Sequence, residues 1–88
     1  MKIKIIDLAK KKIKQRDIPI EWIKETLKNP ENIIEGHSGR KIAQRIYRKS
    51  NKDMLLRVIY TEEDEEIVVI TSYLTSQIEK YRVQENED

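Results

Sequence analysis

The stretch GRKIAQRIYRKSN, residues 39–51, places several cationic side chains around one tyrosine, Tyr47. Apolar and polar residues alternate there with the period of a β-strand, so neighbouring side chains should point to opposite faces of a sheet. One face would carry Lys41, Ala43, Arg45, Tyr47 and Lys49. The other would carry Ile42, Gln44, Ile46 and Arg48. The first face is cationic and aromatic, which suits either a solvated sheet surface or a groove for a phosphate backbone.

A further arginine, Arg57, lies in the next apolar segment of the chain, and Tyr73 lies in the one after that. If these two side chains share a face with Arg45 and Tyr47, two arginines and two tyrosines meet across adjacent strands. Arginine can hold two phosphate oxygens with its planar guanidinium, and tyrosine can stack on a base or act as a weak acid. The alternative is that Arg57 marks the solvent side of a half-buried strand and the tyrosines pack at its edge.

The remaining candidates are a lone histidine and a basic helix face. Histidine exchanges protons readily near neutral pH, so His37, in a glycine-flanked turn, is either a general base or a solvated loop residue. The lysines of residues 10–14, with Arg16, form either a solvated helix face or a contact for RNA. The predicted catalytic residues are Arg57, Arg45, Tyr73 and His37. The predicted RNA-binding residues are Arg16, Arg40, Lys41, Tyr47, Arg48, Lys10 and Lys14.

The length of 88 residues predicts one domain with a single core. We assign this domain to residues 1–83 and predict a disordered acidic tail at residues 84–88. No apolar run approaches the roughly 20 residues of a membrane-spanning helix, and the start MKIKII lacks the pattern of a signal peptide, so a cytoplasmic protein is expected. With no cysteine and one histidine, the chain is expected to have no disulfide framework, no common zinc site and no cofactor.

Charge is distributed unevenly along the chain. Residues 1–60 contain 16 Lys and Arg against 7 Asp and Glu, a net charge of +9, whereas residues 61–88 contain 2 against 9, a net charge of −7. The basic part suits an anionic partner such as RNA. The acidic part is either a solvated turn and tail or a shield that covers the basic surface until a partner arrives.

The hydrophobic periodicity predicts an α+β fold: a short strand, two helices on one sheet face, and an antiparallel meander of three or four strands. The helices should cover residues 8–16, capped by Asp7, and residues 20–29, stopped by Asn29-Pro30. Their core-facing residues should be Leu8, Ala9, Ile13, Ile20, Ile23 and Leu27, with Trp22 at the core edge. The later strands should cover residues 32–35, 41–49, 54–60 and 67–73, with turns at 50–53 and 61–66 and a short helix at 75–81.

Four short motifs occur in order along the chain: Leu8-Ala9, Arg16-Asp17-Ile18-Pro19, Leu27-Lys28-Asn29-Pro30 and Val68-Val69-Ile70-Thr71-Ser72-Tyr73. They resemble the motifs of a family of small uncharacterised prokaryotic domains within or beside the RelE/ParE superfamily of toxins, and the resemblance covers residues 2–73. The segment VITSYLTSQIEKY, residues 69–81, is also similar to the end of BrnT-type toxins. One departure is that Leu8 stands where the family has a histidine.

The resemblance implies a RelE-like fold and a toxin of a toxin–antitoxin pair that cleaves mRNA in the ribosome. Such cleavage uses the 2′-hydroxyl of the RNA as nucleophile, and it requires proton transfer and charge stabilisation without a metal. The implied partners are mRNA or ribosomal RNA and a cognate antitoxin. The alternatives are a non-catalytic RNA-binding domain and a protein-interaction module, such as a homodimer formed through sheet edges. The absence of the family histidine at Leu8 weighs against catalysis.

Overall fold

The computed structural model describes residues 2–82 and confirms the α+β class. Its elements are β1 (Lys2–Ile5), α1 (Asp7–Gln15), α2 (Ile20–Lys28), β2 (Asn32–Glu35), a 3₁₀ turn (His37–Gly39), β3 (Lys41–Lys49), β4 (Lys52–Glu63), β5 (Glu66–Thr75) and α3 (Ile78–Arg82). The sheet order is β1-β5-β4-β3-β2. Strands β2 to β5 form the antiparallel meander, and β1 adds to β5 in parallel at one edge. The tail predicted at residues 84–88 lies outside the described residues.

Helices α1 and α2 pack on one face of the sheet, which we call the α1/α2 face. Their fully buried residues are Ala9, Ile13, Ile23 and Thr26. These pack against Ala43, Leu56, Val58, Tyr60, Ile67 and Val69 of the sheet. No helix within residues 2–82 has the length and apolar character needed to cross a membrane.

Two of the predicted core positions are exposed. Leu8 is 60% exposed and Ile20, the first residue of α2, is 37% exposed. Successive residues of an α-helix are turned by about 100°, so Leu8 is turned away from the core that its neighbour Ala9 faces. Trp22 packs against the core edge as predicted, and its ring stacks on Tyr47 with the centroids 4.5 Å apart.

The predicted ends of two helices are also wrong. Asp7 is the first residue of α1 and not its cap, because the N-cap position is held by Ile6, which makes no side-chain capping bond. The last helix begins at Ile78, three residues later than predicted. Before it the chain turns, and the backbone N–H of Gln77 donates to the Thr75 hydroxyl at 3.0 Å.

Both long hairpins close through two residues. Ser50 and Asn51 join β3 to β4, and Asp64 and Glu65 join β4 to β5; all four have positive φ, between 50° and 63°. This is the backbone of a type I′ turn, whose twist matches that of the flanking strands. The predicted turns at residues 50–53 and 61–66 are therefore too long. The acidic run is largely strand, since Glu62 and its two neighbours pair with β5.

The long strand β4 separates the charged hairpins. Its twelve residues are separated by eleven steps of about 3.3 Å, which span about 36 Å, and the longest dimension of the molecule is 35 Å. The Lys49–Lys52 hairpin lies at one end of this strand, and the Glu63–Glu66 hairpin lies at the other. The cationic and the acidic hairpin therefore lie at opposite ends of β4.

The second hairpin provides a test of the turn geometry. Glycine adopts positive φ without strain, so Glu65→Gly should raise the free energy of unfolding by about 1 kcal/mol. Glu65→Val removes the same charge but places a β-branched residue at positive φ, and it should lower that free energy by about 1 kcal/mol. Urea unfolding of the two variants measures both values. Equal effects of the two substitutions would contradict a type I′ turn.

Candidate functional site

The pleat of β4 decides which predicted site residues can meet. Leu56 and Val58 face α1 and α2, so Arg57 between them points to the opposite face. Arg57 pairs across the sheet with Gln44 and Tyr73, whereas Arg45 pairs with Leu56. The predicted cluster of two arginines and two tyrosines on one face is therefore wrong. Only its Arg57 and Tyr73 half is formed.

Arg45 and Tyr47 lie on the α1/α2 face and hold α2 against β3. Arg45 Nη1 donates to the backbone carbonyl of Asn29 at 2.8 Å, where α2 ends. The Tyr47 hydroxyl donates to Glu25 Oε1 at 2.9 Å, and its ring stacks on Trp22. Burial is the main cause that raises the pKa of Tyr47 above its ordinary value. These contacts give both residues a structural role in the sheet–helix interface.

On the opposite face, Arg57 is the centre of a buried polar cluster. Its side chain is 5% exposed. Nε donates to Gln44 Oε1 at 2.5 Å, and Nη1 donates to the Tyr73 hydroxyl at 2.6 Å. The Tyr81 ring of α3 lies over the guanidinium, 3.9 Å from Cζ. Gln44 in turn donates from Nε2 to Asn32 Oδ1 at 2.8 Å. We call these five residues the Arg57 cluster.

Within the described residues the charge of Arg57 is stabilised by neutral groups. Among residues 2–82 no carboxylate lies within ion-pair distance of its guanidinium. A desolvated cation is costly unless its donors are satisfied. Here two hydrogen bonds from a charged donor and the face of Tyr81 provide the compensation, and a desolvated cation–π contact is worth about 2 kcal/mol. Arg57 therefore links β4 to β3, β5 and α3, and Gln44 extends the cluster to β2.

Tyr73 is held as a neutral phenol. Burial is the largest cause that raises the pKa of Tyr73 above 10.0; its contact with Tyr81 raises this pKa further, and Arg57 opposes both. At neutral pH the hydroxyl is therefore protonated, and it can give a proton but cannot take one.

Tyr73 also lines a cationic groove, which we call the basic groove, with a volume of about 630 Å³. Its lining residues are Arg16, Lys49, Ser50, Lys52, Met54, Tyr73 and Leu74. The groove forms because β1 ends at Ile5, opposite Val69, and leaves the last part of β5 without a neighbour. Arg16, at the end of α1, fills part of this gap by donating from Nη1 to the Ser72 carbonyl at 2.6 Å.

The hairpin supplies the other two cations of the basic groove. Lys49 and Lys52 are direct cross-strand partners. Lys49 Nζ donates to the carbonyl oxygen of Asp17 at 2.6 Å and lies 3.6 Å from the carboxylate of the same residue. That carboxylate is 95% exposed, so it neutralises Lys49 only weakly.

The other predicted site residues lie elsewhere. Lys41 pairs with Glu62 at 2.7 Å, and Arg48 pairs with Asp53 at 3.2 Å. His37 and Arg40 line a separate pocket of about 380 Å³ that shares no lining residue with the basic groove. Lys10 and Lys14 are exposed on α1 and do not line the groove either. Of the predicted site residues, the structure thus gathers Arg16, Tyr73 and Arg57.

Sequence reasoning missed four contributors to this region: Lys49, Lys52, Gln44 and Tyr81. A signal for the lysines was present in the sequence, because a two-residue turn at Ser50-Asn51 would have made them neighbours across the hairpin. No comparable signal pointed to Gln44 or Tyr81. Their roles depend on the register between β3 and β4 and on the position of α3.

The fold and the groove define a small α+β protein with a cationic cleft at one end of its sheet. A family model described as a domain of unknown function (DUF4258) matches residues 9–74, from α1 to β5. Because the match covers most of the chain, the protein belongs to this family. Comparisons with curated proteins and with solved structures gave no match. The matched range contains every residue that lines the basic groove, whereas Tyr81 lies outside it.

The Arg57 cluster can be tested by a double-mutant cycle. Gln44→Leu and Arg57→Met should each lower the free energy of unfolding by roughly 1–3 kcal/mol, because each leaves a buried polar partner unsatisfied. The double variant should lose about 2 kcal/mol less than the sum of the two, since the shared hydrogen bond is lost only once. Urea unfolding gives all four values.

The control cycle pairs Gln44→Leu with Arg48→Met. Arg48 lies four residues away on the same strand, about 13 Å along it, and contacts Asp53 instead. These two changes should add within about 0.5 kcal/mol. A coupling in the Arg57 cycle no larger than in this control would contradict the cluster.

Proposed function

We propose that this protein binds single-stranded RNA through the basic groove, as a RelE/ParE-like domain in which RNA binding takes place without cleavage. The observation that carries the proposal is the meeting of Arg16, Lys49 and Lys52 beside Tyr73 in a groove that no carboxylate among residues 2–82 lines. Cations from separate elements that converge next to an aromatic ring are typical of sites that follow a nucleic-acid backbone.

The two hairpin lysines support an anionic ligand most directly. Like charges directly opposite each other on adjacent strands are destabilising, and Lys49 and Lys52 are such a pair. A phosphate between them would relieve the repulsion and would be held by both ammonium groups. Arg16 uses Nη1 to hold the Ser72 carbonyl, and its remaining N–H donors are suited to a second phosphate oxygen.

Tyr73 adds a surface for a base. Its hydroxyl is fixed by Arg57, and its ring is set by an edge-to-face contact with Tyr81, with the centroids 6.4 Å apart. A ring that is already held in place loses little entropy when a base stacks on it, and stacking is worth about 1–3 kcal/mol per base. The acidic hairpin at the far end of β4 would orient the molecule with its basic end toward the RNA.

A second candidate function is metal-independent RNA cleavage as the toxin of a toxin–antitoxin pair, with a cognate antitoxin as partner. It is favoured by one observation: Tyr73, whose raised pKa keeps its phenol protonated, is among the residues that line a cationic groove, and a phenol can protonate a leaving oxygen. The described part of the chain offers no base for the 2′-hydroxyl there, since none of its carboxylates lines the groove and His37 lies in another pocket. The geometry therefore favours binding over cleavage.

Fluorescence anisotropy with a labelled oligouridine tests the proposal. If three cations contact phosphates, the logarithm of the association constant should fall with the logarithm of the salt concentration, with a slope of about −2. Lys49→Gln with Lys52→Gln should reduce the slope to about −0.7 and weaken binding at low salt by about tenfold. Lys11→Gln with Lys28→Gln removes the same charge outside the groove and should leave the slope nearly unchanged.

Equal loss of affinity in the two double variants would contradict the groove as the binding site. The same mixtures, incubated with a metal chelator and separated on a gel, decide between the two functions. Intact RNA supports binding alone. Products that end in a cyclic phosphate, formed by the natural chain and absent with Tyr73→Phe, would support the toxin instead.

A further inference from the structure

A second groove follows the edge strand β1 and is not used by the proposed RNA site. Its volume is about 760 Å³. The apolar part of its lining comes from Ile3, Ile5, Ile6 and Ile20, and four lysines also line it: Lys2, Lys4, Lys10 and Lys24. Two carboxylates, those of Asp7 and Glu66, belong to the lining as well. Lysines thus outnumber acidic groups around an apolar centre.

The outer edge of β1 offers free backbone groups. The backbone N–H of Ile6 donates to the Val69 carbonyl at 3.4 Å, so the backbone groups of Lys2 and Lys4, which share its direction, face β5. Those of Ile3 and Ile5 therefore face away from the sheet. Within the described residues they make no other backbone hydrogen bond, and β1 has no neighbour on that side.

The side chains of β1 define what could pair with this edge. Ile3 and Ile5 point to the α1/α2 face and pack against its core, whereas Lys2 and Lys4 point to the opposite face and are exposed. A strand added beside β1 places alternate side chains next to the isoleucines and the others next to the lysines. Charge complementarity then requires acidic residues at the positions next to the lysines.

From this geometry we propose that β1 binds an extended peptide segment of a partner protein in which aliphatic and acidic residues alternate over about five positions. The segment adds as a sixth strand, with its aliphatic side chains beside Ile3 and Ile5 and its acidic side chains beside Lys2 and Lys4. A second copy of β1 is excluded as the occupant, because its own lysines would lie against those of the first. This inference does not depend on RNA binding.

Titration with a fluorescein-labelled, end-blocked Val-Glu-Val-Glu-Val peptide tests the proposal by anisotropy. The same peptide with lysine in place of glutamate should bind at least about tenfold more weakly. The double variant Lys2→Gln with Lys4→Gln should bind the acidic peptide more weakly by a similar factor. Lys11→Gln with Lys28→Gln, which removes the same charge away from β1, should leave its affinity unchanged.

Backbone methylation of the peptide separates strand addition from simple charge attraction. In a bound strand only alternate N–H groups face β1. N-methylation of either the two inner glutamates or the three valines should abolish binding, and methylation of the other set should preserve it. Loss with the valines methylated indicates antiparallel pairing, and loss with the glutamates methylated indicates parallel pairing. Equal affinity of the two methylated peptides, or equal affinity of the acidic and basic peptides, overturns the proposal.

Discussion

The burial of Arg57, which has no anionic partner among residues 2–82, is the interaction on which the arrangement of the opposite sheet face depends. One guanidinium donates to Gln44 of β3 and Tyr73 of β5 and lies under Tyr81 of α3. Each partner is neutral, so the cation is stabilised by directed hydrogen bonds and an aromatic face and not by charge neutralisation. Such a site tolerates little displacement, because a buried donor that loses its acceptor costs about 1–3 kcal/mol.

This interaction connects the interior to the basic groove. Tyr73 accepts the hydrogen bond from Arg57 and at the same time lines the groove with Arg16 and the hairpin lysines. The buried cation therefore fixes the side chain of Tyr73, which is the aromatic residue among the described residues of the groove lining. Its own charge is covered by Tyr81, so the cations available to a ligand are those of Arg16, Lys49 and Lys52. Arg57 thus positions Tyr73, and the three other cations are the groups that would contact a ligand.

The class of the fold could be read from the sequence because its signals are local. Alternation in residues 41–49 and the helical spacing of Ala9 and Ile13 each depend on neighbouring residues only. The lengths of the turns were harder to predict from the sequence. Positive φ at Asp64 and Glu65 is unusual for non-glycine residues, so the acidic run looked like a long solvated turn and is instead mostly strand.

The site was harder to predict than the fold, because it depends on registers between strands. The face to which Arg57 points follows from the alternation within β4, but its relation to Arg45 follows from the pairing of β3 with β4. A shift of one residue exchanges the two faces, and nothing in either strand alone determines the choice. Two further features also depend on residues far apart in the sequence. They are the parallel pairing of β1 with β5 and the position of Tyr81 over Arg57.

The most direct measurement of the central claim is the solvent exchange of the Arg57 side chain. In ¹⁵N-labelled protein, the Nε–H of Arg57 should exchange at least about tenfold more slowly than that of the exposed Arg48, because it is hydrogen-bonded to Gln44 and covered. Tyr81→Ala should accelerate the exchange of Arg57 without changing that of Arg48. Exchange of Arg57 as fast as that of Arg48 in the natural chain would contradict the account.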